Sequence, residues 1–441
     1  MTQRFHTLIL LLLLFIPLAG QAQDQITQAD KQAAIDSLSK NLLENYVYPE
    51  KAEIMAAAIR KNLKKGLYEG IDNGPAFAER LTKDLQDISH DRHLNLRYAP
   101  DRIAEYNASR QGEEDEQAFQ MRELQRSRAN NFQMKELKML PGNVGYFRFD
   151  GFSGWDEGLK KAMAAMQFLG DADAIIFDIR ENGGGDPQMV QVLCSYLFDE
   201  VRHLNTFYWR PSDEYNHFYT LPSVEGKRMP DVPVYVLTSG YTFSAAEEFT
   251  YNLKNMERAT IVGEKTGGGA HPGGTVGLTD KFMVFMPMGK AINPITQTNW
   301  EGTGIEPHIA VPASAALEAA HLDALKKIRE HKADDQDTQQ RLDWVITELN
   351  ARVNPATIDQ TLLQSYAGNY GPRVLVFEGG VLFYQRESGP KRKLLPVSED
   401  TFIPDGVDGF RLKVIREGGK AIAVEGHYIQ GRVDRNERDE G

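Results

Sequence analysis

Residues 238–247 have the sequence Thr-Ser-Gly-Tyr-Thr-Phe-Ser-Ala-Ala-Glu, and they mark a sharp change from strand to helix. The apolar run from Val232 to Leu237 precedes them, and a helical pattern continues to about Asn255. A serine at a helix start lies among backbone N–H groups without intrahelical acceptors, where the dipole favours negative charge. An acyl-transfer nucleophile requires such surroundings, because its intermediate carries an oxyanion. A helix N-cap is the alternative role for Ser244 or Thr242.

The same alternation of strand and helix extends to both sides of this segment. It predicts an α/β fold whose core strands are buried and largely parallel. Cys194, the only cysteine, falls in one of the helical patterns and is predicted to be a core residue, so no disulfide can form within the chain. The predicted strands are 144–149, 174–179, 232–237 and 259–262, and the predicted helices are 155–169, 187–198 and 244–255.

The regions that flank this core differ from it in pattern. Three amphipathic helices are expected before residue 100, and a charged stretch follows that favours a solvated helix or loop. Beyond residue 356, short alternating runs separated by Glu-Gly-Gly turns predict a small antiparallel β domain. The predicted divisions are a signal peptide (1–22), an N-terminal helical domain (23–100), a polar connecting segment (101–142), a core (143–312), a helical linker (313–355) and a C-terminal β domain (356–441).

Composition excludes some partners and suggests an exported protein. The chain has 441 residues and a formal net charge of −12, which argues against nucleic acid or an anionic membrane surface as its partner. Residues 1–22 combine a basic start, an apolar run and small residues at Gly20 and Ala22, which is typical of a secretory signal. No cysteine lies near the expected cleavage site, so no stable membrane anchor is expected after cleavage. We therefore expect a periplasmic or extracellular protein.

Four further segments carry residues suited to chemistry. The glycine-rich segment 178–185 follows a strand; it suits an oxyanion-hole loop or a plain strand–helix turn. A nucleotide-phosphate loop is disfavoured there, because no Gly-Lys-Ser/Thr follows. The histidines lack ligand spacing with cysteines or carboxylates, so neither a metal nor another cofactor is expected. The segments are Ser-His-Asp-Arg-His (89–93), Asp-Ile-Arg-Glu-Asn-Gly-Gly-Gly (178–185), Val-Gly-Glu-Lys-Thr-Gly-Gly-Gly-Ala-His (262–271) and Asn-Trp-Glu-Gly-Thr-Gly-Ile-Glu-Pro (299–307).

Taken together and in this order, the segments resemble the tail-specific protease (C-terminal processing peptidase) family of serine peptidases. The similarity extends from about Gln28 to Val311 and favours the branch that includes the tricorn protease core and interphotoreceptor retinoid-binding protein. This resemblance implies a crotonase-like (ClpP/crotonase) ββα core with an N-terminal helical part. Too few residues lie between Leu96 and Asn143 for the PDZ module that many members carry.

The resemblance also assigns roles to individual residues. It makes Ser244 the nucleophile, His93 the base and Glu301 the carboxylate that orients the base. The oxyanion donors then fall on the backbone N–H groups of Gly184 and Ala245.

The sequence departs from the family pattern at positions that bear on the base. Gly269 stands where many members have a catalytic lysine, and Lys265 lies earlier in the loop, so the histidine-using branch fits better. Arg92 replaces the serine that precedes the base in the tricorn branch. His90 and His271 remain alternative bases.

The predicted function is that of an exported serine endopeptidase acting on polypeptides through an acyl-enzyme. A non-catalytic ligand- or peptide-binding protein on the same fold is the alternative. Hydrolysis of small esters is less favoured, because the chain has no Gly-x-Ser-x-Gly elbow. The sequence predicts no oligomeric state.

Overall fold

The structure is a computed structural model that describes residues 24–110 and 112–439, so the predicted signal peptide lies outside the described residues. The chain folds into two units. The first contains residues 24–110, 112–125, 206–216 and 271–292, and the second contains residues 126–205, 217–270 and 293–439. Within the described ranges, no helix is both long and apolar enough to cross a membrane.

The helices and strands have the following bounds in chain order. The helices are α1 (Gln28–Asn45), α2 (Pro49–Lys64), α3 (Gly74–Ser89), α4 (Pro100–Ser109), α5 (Glu113–Ala129), α6 (Asp156–Phe168), α7 (Pro187–Ser195), α8 (Ala245–Asn255), α9 (Ala316–His331), α10 (Gln336–Val353) and α11 (Gln360–Ser365). The strands are β1 (Asn95–Tyr98), β2 (Met134–Leu140), β3 (Val144–Phe149), β4 (Ala174–Asp178), β5 (His203–Trp209), β6 (Glu214–Tyr219), β7 (Val234–Thr238), β8 (Ala259–Gly263), β9 (Gly273–Gly277), β10 (Phe282–Pro287), β11 (Gly289–Ile292), β12 (Ile309–Ala310), β13 (Gly368–Tyr370), β14 (Arg373–Glu378), β15 (Val381–Arg386), β16 (Arg392–Pro396), β17 (Thr401–Pro404), β18 (Phe410–Glu417), β19 (Lys420–Tyr428) and β20 (Val433–Glu437).

In the first unit, helices α1 to α3 each bury one apolar stripe, as the sequence predicts. On α1, Ile35, Leu38 and Leu42 recur at three- and four-residue spacing and are fully buried. A capping box begins this helix: the Thr27 hydroxyl accepts the Asp30 N–H at 3.2 Å, and the Asp30 carboxylate accepts the Thr27 N–H at 2.8 Å. The N-terminal helical region is therefore confirmed.

Two small sheets of this unit were not predicted. Strands β1, β10 and β9 form one, and β11 pairs with β5 in the other. Strand β9 has the sequence Gly-Gly-Thr-Val-Gly, which lacks both the alternation and the β propensity that signal a strand. Strand β9 therefore depends on its pairing with β10 rather than on a local sequence signal.

The second unit contains a six-stranded sheet in the order β12-β8-β7-β4-β3-β2. Its neighbouring strands are parallel except for β2, which pairs antiparallel with β3. Strands β4 and β7 are buried along their whole length, which explains their continuous apolar sequence. The predicted α/β core is confirmed.

Helices cover both faces of this sheet. Because side chains alternate along each strand, neighbouring residues pack against helices on opposite faces. Ile175 and Phe177 pack with α6, α7 and α8, whereas Ile176 and Tyr235 pack with α9. Cys194, on α7, is fully buried in the first of these layers, and burial raises the pKa of its thiol well above the usual value. It is a core residue, as predicted.

The parallel pairing of β4 with β7 brings two of the predicted segments together. Asp178 and Leu237 are register partners at the ends of these strands. The loops that follow, 178–185 and 238–244, therefore leave the sheet at the same edge. Ligands of open α/β sheets bind at this carboxyl edge.

The C-terminal strands β13 to β20 form an antiparallel meander in which each strand pairs with the next. The two ends of the sheet approach each other, since the Asp439 N–H donates to the Asn369 carbonyl at 2.9 Å. The sheet is therefore nearly closed. Residues such as Leu375, Leu412 and Val424 fill the interior. The predicted antiparallel β region is confirmed and is called the C-terminal barrel below.

Candidate active site

Ser244 lies in a strained turn between β7 and α8. Its φ is 55° and its ψ is −124°, a backbone conformation that non-glycine residues rarely adopt. Such strain costs on the order of 1–3 kcal/mol and persists only where the surroundings enforce it. The turn is therefore held by contacts elsewhere in the unit.

Glu247 supplies those contacts. Its buried carboxylate accepts the Ser244 N–H at 3.1 Å, the Gly268 N–H at 2.7 Å and the Gly269 N–H at 2.8 Å, together with the Thr266 hydroxyl. Burial raises the pKa of Glu247 to about 7, and these donors oppose that rise. One carboxylate thus ties the serine turn to the glycine-rich loop after β8.

This role of Glu247 was not predicted from the sequence. The signal was present, because a serine followed three residues later by glutamate is a capping-box pattern. The pattern does not predict that Glu247 also bonds the loop at residues 266–269, which lies about twenty positions further along the chain.

The segment 299–307 lies against the same loop. The Trp300 indole N–H donates to the Gly269 carbonyl at 2.6 Å, and the Glu301 carboxylate accepts the Ala270 N–H at 2.6 Å. The Ile305 N–H donates to the Thr266 hydroxyl at 2.8 Å. Both predicted loops therefore join Ser244 in one hydrogen-bonded assembly.

Gly184 packs directly against the serine. A Cβ added to it would lie 2.6 Å from the Ser244 Cβ and 3.0 Å from the Ala245 nitrogen, and its φ of 110° suits only glycine. The Gly184 N–H donates to Asn182 Oδ1 at 2.9 Å, so a substrate oxygen would share or replace that acceptor. The Ala245 N–H begins α8, where a helix leaves its first donors without intrahelical acceptors.

Buried polar side chains fix this glycine-rich loop. The Asn182 amide donates to the Phe149 carbonyl at 2.9 Å, and the Phe243 N–H donates to the Asn182 carbonyl at 3.2 Å. Asp178 accepts hydrogen bonds from Arg180 and from the Tyr146 hydroxyl. Burial alone would raise the pKa of Asp178, but these donors hold it below its usual value.

A cavity of about 1050 Å³ opens beside the loop. Gly183, Gly184 and the exposed ring of Tyr241 line one side of it. Trp155 and Arg148 lie on other parts of its wall. Its volume is close to the upper end of the range typical of ligand pockets.

In the first unit, Asp91 organises a buried cluster. His271 Nδ1 lies 2.7 Å from Asp91 Oδ2, and the Tyr46 hydroxyl donates to the same oxygen at 3.1 Å. The His93 N–H donates to Asp91 Oδ1 at 3.0 Å, while His93 Nδ1 lies 3.8 Å from that oxygen. Burial alone would raise the pKa of Asp91, but the His271 hydrogen bond and both imidazoles lower it.

The three candidate histidines differ in their surroundings. Burial lowers the pKa of His93 to about 4, although Asp91 opposes this shift, so the imidazole is neutral at pH 7. His93 also stacks on Phe285, with ring centroids 5.6 Å apart. His271 is buried in the same cluster, whereas His90 is exposed at the end of α3 and does not join it.

The alternative lysine base has a different environment. Lys265 is half exposed, and its ammonium group lies 2.8 Å from the Glu306 carboxylate. Lys265 is therefore paired with a carboxylate at the protein surface.

Comparison with known proteins agrees with these features. Residues 143–311 match the sequence model of peptidase family S41, and residues 25–133 match the N-terminal domain of Peptidase_S41 in eukaryotic IRBP. The chain therefore belongs to peptidase family S41, and the resemblance found in the sequence is confirmed. Membership indicates a peptidase whose substrates are polypeptides.

Solved structures with detectable similarity to this chain include proteins of several kinds. A protein from Parabacteroides merdae is 20% identical, with 64% of this chain and 90% of that chain covered and a TM-score of 0.45. The photosystem II D1 C-terminal processing protease is 15% identical, with 66% of this chain and 95% of that chain covered and a TM-score of 0.42. The tricorn protease is 20% identical, with 47% of this chain and 18% of that chain covered and a TM-score of 0.29.

Proposed function

We propose that this protein is an exported serine endopeptidase in which Ser244 is the nucleophile and His93 is the general base. The observation that carries the proposal is the strained Ser244 turn, which Glu247 locks to a glycine-rich loop in a family S41 domain. Backbone strain of this kind clusters at active sites and ligand-binding sites.

The chemistry assigned to these residues has two stages. His93 takes the Ser244 hydroxyl proton while the oxygen attacks the peptide carbonyl, and the proton then passes to the leaving amine. A water molecule hydrolyses the resulting ester by the same route. Because burial lowers the pKa of His93 to about 4, the base is ready in its neutral form. Glu301 is the carboxylate proposed to orient it.

The backbone N–H groups of Gly184 and Ala245 are the proposed oxyanion donors. The loss of one such donor typically costs about 3–4 kcal/mol of transition-state stabilisation. Since the Gly184 N–H already has the Asn182 oxygen as an acceptor, the developing oxyanion must compete with it. A negatively charged oxygen is the stronger acceptor of the two.

Labelling with a fluorophosphonate probe tests the proposal. Wild-type protein should be modified at Ser244 and should cleave a denatured protein substrate, and Ser244→Ala should do neither while keeping its melting temperature. Ser223→Ala, which changes an exposed serine, is the matched control and should label normally. An unlabelled, inactive wild type would favour the alternative of a non-catalytic binding protein. Recovery of the mature chain from the periplasm or medium tests export.

A further inference from the structure

The Asp91 carboxylate uses both of its oxygens within the buried cluster of the first unit. Oδ2 accepts the Tyr46 hydroxyl at 3.1 Å and lies 2.7 Å from His271 Nδ1. Oδ1 accepts the backbone N–H of His93 at 3.0 Å and lies 3.8 Å from Nδ1 of the same residue. The carboxylate therefore joins the turn that carries His93 to a residue 180 positions away from Asp91.

This carboxylate is a buried charge that is paired with histidines. Asp91 is 1% exposed, and among the residues that the structure describes its salt-bridge partners are His93 and His271, with no lysine or arginine. Burial alone would raise the pKa of Asp91, but the His271 hydrogen bond and both imidazoles hold it below its usual value, so the group is ionised at pH 7. A buried charge is unfavourable unless other groups compensate it, and such groups cluster at functional sites.

The position of Asp91 bears on which nitrogen of the His93 ring carries the proton. Because a neutral imidazole has one N–H and one acceptor nitrogen, a carboxylate beside Nδ1 favours the proton there and leaves Nε2 as the acceptor. The 3.8 Å separation is longer than a hydrogen bond, so the influence is electrostatic, and burial of both side chains limits its screening. Stacking on Phe285 restrains the plane of the ring.

The same charge compensates a cost of using a buried base. Burial lowers the pKa of His93 to about 4, which keeps the imidazole neutral but also disfavours the imidazolium that proton transfer creates. Asp91 opposes this shift, whereas His271 and Arg92 reinforce it. The attraction between Asp91 and His93 is therefore strongest when His93 holds the serine proton, and an interaction of that kind accelerates the reaction.

We propose that Asp91 is a positioning residue of the active site. It holds the proton of neutral His93 on Nδ1, leaves Nε2 to take the serine proton, and stabilises the imidazolium that results. His271 and Tyr46 act one step further away, by fixing the carboxylate. The inference rests on the proposed function, in which His93 is the base, and it adds a second carboxylate to Glu301, which the family resemblance assigns.

Nitrogen NMR of the full chain with isotope-labelled histidine at pH 7 tests this inference without relying on activity, because it distinguishes a protonated ring nitrogen from an unprotonated one. The signals of His93 are those missing from His93→Gln. We expect the Nδ1–H form in the wild type and a larger Nε2–H fraction in Asp91→Asn. Asp87→Asn, at a mostly exposed position of α3, is the matched control and should match the wild type.

Two spectroscopic results would overturn the proposal. One is an Nε2–H form of His93 in the wild type, which decides the matter even if Asp91→Asn fails to fold. The other is a tautomer that changes in Glu301→Gln but not in Asp91→Asn, since Glu301 alone would then orient the base.

Kinetics supply a second readout. Asp91→Asn should lower kcat at least a hundredfold and change KM little, because the wrong tautomer cannot accept the serine proton. Asp87→Asn should leave both within about twofold. A wild-type kcat in Asp91→Asn would contradict the role of Asp91. A wild type that fluorophosphonate does not label would reject the peptidase instead, and the NMR result would still decide whether Asp91 sets the tautomer of His93.

Discussion

The carboxyl edge of the six-stranded sheet and the interior of the C-terminal barrel bury very different side chains. The edge buries polar and acidic groups that include Asp178, Asn182, Thr242 and Glu247, whereas in the described part of the barrel Arg373 is the one buried polar residue. Burial of a polar group is unfavourable unless its hydrogen bonds are satisfied. At the edge, buried polar groups hold a strained geometry, whereas apolar packing stabilises the barrel.

The largest expected effect is on hydrolysis. His93→Ala should lower kcat about a thousandfold or more, because it removes the proposed base, and should change KM little. Lys265→Ala should leave kcat within about twofold, since it removes an exposed, ion-paired group. Steady-state kinetics on a fluorogenic peptide measure both. The opposite ranking of the two variants would mean that a lysine is the base.

The next effect concerns the geometry of the edge. Gly184→Ala should lower kcat about a hundredfold, because its Cβ would meet the Ser244 Cβ at 2.6 Å and its φ is unfavourable for alanine. Gly240→Ala is the matched control in the neighbouring loop, where an added Cβ meets nothing within 4 Å. Equal kcat values for the two variants would show that the close approach at Gly184 is not needed for catalysis.

A smaller effect appears in the dependence of stability on pH. Burial raises the pKa of Glu248 from 4.5 to about 8, so the folded protein keeps a proton that the unfolded chain releases. The contribution of this group to the free energy of unfolding therefore falls as pH rises from 4.5 to about 8 and is constant above. Glu248→Gln should remove the part of the slope that Glu248 contributes and raise the melting temperature by several degrees at pH 8, but not at pH 4.

Thermal melts across this pH range check the expectation. Glu257→Gln, at an exposed glutamate just beyond α8, should follow the wild-type curve. Part of the slope should persist in Glu248→Gln, because Glu247 has its pKa raised to about 7 and contributes in the same direction. If Glu248→Gln kept the full wild-type slope, Glu248 would not be the group that holds the proton.

The smallest effect on hydrolysis is expected from a substitution in the C-terminal barrel. Arg373→Met should lower stability by about 1–2 kcal/mol, because it leaves the partly exposed Asp434 without its buried partner. It should leave kcat unchanged. Arg432→Met is the control, since this mostly exposed arginine contacts the same carboxylate at 3.2 Å. A fall in kcat for Arg373→Met beyond its effect on folded fraction would mean that the barrel and the sheet edge are coupled.

Much of the fold could be predicted because its signals are local. The continuous apolar strands β4 and β7, the stripe of α1 and the helix that contains Cys194 all follow from short-range periodicity. The position of Ser244 at a strand-to-helix turn follows from the same signals. The strained φ of Ser244 does not, because neighbouring residues alone do not enforce it.

The parts that the sequence did not predict depend on contacts between distant residues. Asp91 and His271 are 180 positions apart, and neither pattern nor spacing indicates that they meet. The bonds from Glu247 to residues 266–269 belong to the same class. The roles of Ser244, His93, Glu301, Gly184 and Ala245 stay predictions until the kinetic experiments are done.

The fully buried Cys194 has a practical consequence. Its thiol is inaccessible in the folded protein, and burial raises its pKa, so reagents that attack thiolates should leave the native chain unmodified. A cysteine introduced at an exposed position such as Glu181, on the wall of the cavity of about 1050 Å³, would then be the only reactive thiol. A fluorophore or spin label could be attached there in one step, without first removing the natural cysteine, to test whether peptides enter this cavity.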